Sequence, residues 1–200
     1  MSKDRLEAFS DGVLAIIITI MVLELKVPHE PTLEAMKPLV PKFLSYVLSF
    51  VFLGIYWNNH HHLFQAVRHV NGRILWANMH LLFWLSLVPF VTDWMGETNF
   101  KSMPVAAYGV DMLLAGLAYF ILTRVLIAHH GPDSAIVKAV GHDHKGQVSL
   151  GLYLLAIPLA FLEPLIACAF FVIVAVMWLI PDRRIERTLA KHEHEEHAGH

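Results

Sequence analysis

Two hundred residues that are 56% hydrophobic and only 16% charged, with a mean hydropathy of +0.53, carry more apolar surface than a water-soluble domain of this length can bury. A formal net charge of -2 excludes the basic footprint of a nucleic-acid binder and gives no handle for an acidic substrate. The single cysteine, Cys168, excludes an intrachain disulfide and a thiolate metal cluster. The expectation is an all-α protein whose solvent is the lipid bilayer.

Crossing about 30 Å of hydrocarbon takes about 20 helical residues. Residues 5–25 meet that length. Lys3 and Arg5 ahead of an apolar run resemble a signal peptide. Asp11 before the run, and Glu24 and Lys26 where small residues would mark a cleavage site, instead predict a retained first helix. Residues 43–64, 74–91 and 104–127 supply three further spans. The last apolar block, residues 148–180, would measure about 50 Å as one helix, too long for a single crossing. Glu163 and Pro164 divide it, because proline cannot continue a helix that precedes it. Six spans are predicted.

Orientation follows from the basic residues. Lys3, Arg5, Arg68, Arg73, Arg124, Lys138, Lys145, Arg183, Arg184, Arg187 and Lys191 fall on the side of the termini, eleven against the four of Lys26, Lys37, Lys42 and Lys101. The positive-inside rule then puts both termini in the cytoplasm. Residues 1–181 form the membrane unit. Residues 182–200 form a charged, histidine-rich cytoplasmic tail, read as a solvated helix end; its histidines also offer a metal-binding reading, against which their irregular spacing counts.

Arg5, Phe9, Ser10 and Asp11 place a cation, a hydroxyl and a carboxylate where a membrane helix begins, and such groups need partners there. The spacing Arg-x-x-x-Phe-Ser-Asp resembles the signature of the transmembrane protein 175 family of potassium channels. Gly54, Tyr56, Trp57, Asn58, Asn59, His60 and His61 in the second span, and Asn78 through Pro89 and Phe90 in the third, agree with it. The resemblance covers the first three spans, while the last three match only in number and hydrophobicity. It implies a six-helix unit in the plasma membrane that assembles as a homotetramer, the four first helices lining one central pore for monovalent cations. It further implies a narrow hydrophobic constriction at Ile16, a wall continued by Thr19, Ile20 and Leu23, and no cofactor, potassium being the permeant ion.

Helical geometry is consistent with that placement. With Ile16 at zero and about 100° per residue, Gly12, Thr19, Ile20 and Leu23 fall within about 60° of it. Asp11 and Ser10 fall near about -140° and +120°, pointing into the subunit, where Trp57, Asn58, His60, Asn78 and His80 are available as partners. The same stripe also suits packing against neighbouring helices or lipid, and Thr19 suits either a pore-lining hydroxyl or a back-bond to its own helix. Glu24, Asp93 and Glu97 are candidate cation-gathering groups at the outer mouth. No Thr-Val-Gly-Tyr-Gly-like filter loop is present. The spans hold few ionisable residues at depth, which favours a passive pore over a proton-coupled carrier. A different class is a membrane haem or metal protein of oxidoreductase type using His60, His61, His69 and His80.

Overall fold

Hydrocarbon offers no partner to an unbonded peptide group, so a chain this apolar must close its backbone hydrogen bonds inside each crossing segment. The structure, a computed structural model, describes residues 2–131, 134, 136–137 and 143–180. Those residues form six long helices: α1 (Lys3–Leu23), α2 (Val40–Gln65), α3 (Gly72–Glu97), α4 (Ser102–His130), α5 (His144–Leu162) and α6 (Pro164–Leu179). A helical turn at Leu33–Met36 and a 3-10 turn at Lys37–Leu39 lead straight into α2. The all-α, six-helix expectation is met. The histidine-rich tail expected over residues 182–200, and Gly141 and His142 of the preceding loop, lie outside the described residues.

Local chemistry sets the boundaries. Asn71 accepts a hydrogen bond from the Ile74 amide at 3.0 Å to open α3, and Asp143 accepts one from Gly146 at 2.8 Å to open α5, each filling a vacancy at a helix start. Glu163 is extended at φ -149° and Pro164 begins α6, as expected of a residue with no amide hydrogen to lose. Five segments are long and apolar enough to cross a membrane. α6, with 16 residues, spans about 24 Å and contains no charged side chain.

Helix α3 sits centrally, packed on α1, α2 and α4; α4 packs on α5, and α6 closes the bundle against α2, α4 and α5. Ala115 and Ala118 of α4, Ala156 and Ala160 of α5 and Ala167 of α6 are wholly buried, small side chains that let these helices approach closely where no water drives them together. Helix α1 touches α2 and α3 and nothing comparable on its other side. Among the described residues it is a peripheral helix, as is α5, which packs on α4 and α6.

The α2–α3 pair closes most tightly at Gly96. A Cβ there would stand 2.5 Å from Ser45 Oγ and 2.7 Å from the Lys42 Cα, and the second of these is backbone that cannot rotate away. Gly96→Ala should therefore destabilise the protein by about 1–3 kcal/mol in detergent unfolding. Gly151→Ala, where nothing lies within 4 Å, should be neutral or slightly stabilising; equal effects at the two sites would contradict this packing.

Candidate functional site

Helix α1 sorts its residues into two faces with the helical period. Leu6, Ser10, Leu14, Ile17 and Met21, spaced three or four apart, are buried against α2 and α3. The opposite stripe is bare: Ile16 is 59% exposed, Ile20 43% and Leu23 78%, with Phe9, Gly12 and Thr19 exposed beside them. Three large apolar side chains thus stand on one line, only partly covered by the rest of the chain.

The buried face carries a polar clamp. Ser10 donates to the Leu6 carbonyl at 2.9 Å, completing the back-bond that serine forms readily in membrane helices. Its oxygen accepts from Asn78 Nδ2 at 2.9 Å, and Asn78 Oδ1 accepts from His60 Nε2 at 2.8 Å. Ser10, Asn78 and His60 are 0%, 1% and 2% exposed. Since Asn78 Oδ1 can only accept, the His60 proton sits on Nε2. The bare Nδ1 finds no partner among the described residues, and the ring lies over Phe64 with centroids 4.4 Å apart.

Two more rungs lie beside this one. Asp11 Oδ1 accepts from the Trp57 indole at 3.0 Å. Glu7 reaches His61 Nδ1 at 3.2 Å, while His61 Nε2 pairs with Gln65 at 3.0 Å and its ring stacks on Trp57 at 14°. The sequence reading missed Glu7, although it falls about 180° from Ile16 on the same wheel. Arg5 is exposed at the start of α1, and Asn58 is exposed on α2, outside the clamp. His80 is outside it too: it faces outward on α3 and accepts from the Trp84 indole at 2.9 Å.

Thr19 donates back to Ala15 O at 3.0 Å and Ile16 O at 2.9 Å, so its hydrogen is turned into the helix while its lone pairs remain on the bare stripe. At the other end of the bundle, Lys42, its side chain only 9% exposed, contacts Asp93 at 2.7 Å and Glu97 at 2.9 Å. Two of the three carboxylates read as cation gatherers, Asp93 and Glu97, are therefore engaged by a lysine and bind α3 to α2. Asp111 of α4, 4% exposed, is a buried carboxylate that the sequence reading passed over within an apolar run.

Among the described residues no three His, Cys, Asp or Glu side chains converge as metal ligands would. His60, His61 and His80 spend ring nitrogens on Asn78, on Glu7 and Gln65, and on Trp84. The haem or metal reading gains no support from this arrangement.

Comparison with known proteins bears on the same region. The family model described as endosomal/lysosomal potassium channel TMEM175 matches residues 5–89, which carry the clamp and the bare stripe. A potassium channel of Chryseobacterium sp. (strain P1-3) is 54% identical over 189 residues, covering 94% of this chain and 98% of that protein. The endosomal/lysosomal proton channel TMEM175 of Gallus gallus is 42% identical over 79 residues, 34% of this chain and 16% of that one. The crystal structure of a lysosomal potassium-selective channel TMEM175 homolog from Chamaesiphon minutus superposes with a TM-score of 0.76 at 29% identity, covering 89% of this chain and 96% of that one.

Asn78→Leu removes the amide that serves both Ser10 and His60 and strands two buried polar groups. Unfolding in detergent should show a loss of about 2–4 kcal/mol, whereas Asn58→Ala, at an exposed position, should stay within about 0.5 kcal/mol of the parent. A neutral Asn78→Leu would contradict the clamp.

Proposed function

The chain belongs to the TMEM175 family of potassium channels, and on that premise we propose that its conduit is built from the bare stripe of α1 in four copies, closed to water by a collar of Ile16 side chains. The protein is a multi-pass membrane channel and not an enzyme. The observation that carries the reading is the division of α1: its polar groups are clamped inward while Ile16, Ile20 and Leu23 stand uncovered on the other side. A helix packed chiefly on α2 and α3 among the described residues is placed to meet its own copies around an axis. Each copy would contribute the same surface, as cyclic symmetry requires.

An isoleucine collar has no oxygen to replace the water that an ion loses. Passage through it costs dehydration, and potassium, the more weakly hydrated ion, loses less than sodium. Potassium preference then arises from the barrier itself, without a carbonyl-lined filter. The Thr19 oxygens, about one turn further along the stripe, would receive the ion as it leaves the collar, since their hydrogens are already bonded to Ala15 and Ile16 carbonyls. Arg5 and Phe9 would stand at the cytoplasmic mouth, with both termini inside a plasma membrane as the distribution of basic residues directs. No step calls for a cofactor.

Purified protein in potassium-loaded liposomes tests this. Potassium efflux above empty vesicles is expected, with sodium efflux several-fold slower. Ile16→Asn puts amides into the collar and should raise sodium efflux toward that of potassium. Absent flux, or selectivity indifferent to Ile16→Asn, would overturn the proposal.

A further inference from the structure

A line of hydroxyls runs through the interior of the subunit, away from the bare face of α1. Ser49 Oγ of α2 lies 2.6 Å from Thr92 Oγ1 of α3 and donates to the Tyr108 hydroxyl of α4 at 3.1 Å. Ser49, Thr92 and Tyr108 are 0%, 4% and 0% exposed. A hydroxyl has one hydrogen to give. Because Ser49 spends its own on Tyr108, Thr92 must donate to Ser49, and the chain acquires a direction from Thr92 to Ser49 to Tyr108. The Tyr108 hydrogen is then the one left to be placed.

One turn further along α4 stands Asp111. It is 4% exposed, and both of its carboxylate oxygens are buried without a partner among the described residues. Tyr108 and Tyr56 both lie within reach of its charge. Buried polar atoms without partners are scarce in folded proteins, and each needs a reason. An ionised carboxylate with neither cation nor hydrogen-bond donor is the costliest case, most of all in a membrane-spanning helix. A protonated carboxyl is neutral and needs far less.

The opposite end of the hydroxyl chain reaches a way in. Thr92 borders a cavity of about 10 Å³ that is also lined by Glu24, Lys42, Ser45 and Asp93, which is room for one water. That cavity lies at the ion-paired end of α2 and α3, where Lys42 meets Asp93 and Glu97.

We propose that Asp111 is a proton-binding site inside each subunit, loaded from the Lys42 end through this cavity and the Thr92–Ser49–Tyr108 hydroxyl chain. Loading moves protons and nothing else. A water in the cavity gives a proton to Thr92, each hydroxyl takes one hydrogen and passes on its own, and Tyr108 delivers one to the Asp111 carboxylate. One O–H bond is lost at the entry water and one is gained on Asp111; no group is oxidised or reduced. Tyr108 and Asp111 share no direct hydrogen bond among the described residues, so the proposed delivery from Tyr108 requires one bridging water. Titratable neighbours from the packed helices are Tyr56 of α2, Tyr108 of α4, Tyr153 of α5, which sits close to both tyrosines, and Cys168 of α6 beside Tyr108. All are phenols or a thiol, which ordinarily keep their protons at neutral pH, so Asp111 is the acid that titrates. α3 contributes the Thr92 hydroxyl. The site is independent of the Ile16 collar, and loss of potassium selectivity would leave it intact.

Infrared difference spectroscopy of the full chain in liposomes tests the proposal. At pH 7 a protonated carboxylic acid band is expected that shifts in heavy water and is missing from Asp111→Asn. Ser49→Ala keeps Asp111 but cuts the chain, and should slow the heavy-water shift by about tenfold or more. A missing band in the parent, a band that persists in Asp111→Asn, or a Ser49→Ala protein that exchanges as fast as the parent would overturn it. Should Asp111→Asn fail to fold, the exchange rate of Ser49→Ala decides alone.

Discussion

The Asn78 side chain holds two helices to a third by a pair of bonds less than 3 Å long, one to Ser10 and one to His60. In water either partner could turn to solvent instead. At 0–2% exposure inside a membrane bundle neither can, and breaking one bond strands both ends. That constraint fixes the rotation of α1. Six residues separate Ser10 from Ile16, which at about 100° each leaves them about 120° apart. Pinning Ser10 inward therefore turns Ile16 outward.

The clamp is also asymmetric along the helix. Glu7, Ser10 and Asp11 all lie in the first half of α1 and bond to α2 or α3. The second half is held by the packing of Leu14, Ile17 and Met21 alone. Beyond it, the ion pairs of Lys42 with Asp93 and Glu97 join α2 to α3 and leave α1 out. One end of α1 is thus fixed by directional bonds, and the other by contacts that allow it to settle against whatever lies on its bare face.

Much of this was legible in the sequence. Apolar runs measured against bilayer thickness yield six helices, and Glu163-Pro164 marks the α5–α6 break because residues 148–180 are too long for one crossing; proline alone would not suffice, since Pro89 and Pro158 lie inside α3 and α5. The inward turn of Ser10 and Asp11 follows from helical period once the family resemblance puts Ile16 on the opposite side. What the sequence did not yield are pairings set by the register between helices. Lys42 meeting Asp93 and Glu97, or Glu7 meeting His61, depends on how far one helix slides along another, and periodicity within one segment carries no such information. His80 went the other way: two residues from Asn78 means about 200° around the helix, so sharing a motif did not mean sharing a face. Asp111 escaped because a single carboxylate barely changes the hydropathy of a long apolar run.

The Ile16 stripe is proposed to face copies of itself across a conduit. Cysteine placed there reports it most directly, because Cys168→Ser gives a background without other thiols. In that background Ile16→Cys should form subunit-to-subunit disulfides under mild oxidation and lose potassium flux as they form. Leu154→Cys, 62% exposed on α5, should do neither. An Ile16→Cys protein that stays uncrosslinked and conducting, behaving like Leu154→Cys, would contradict the account.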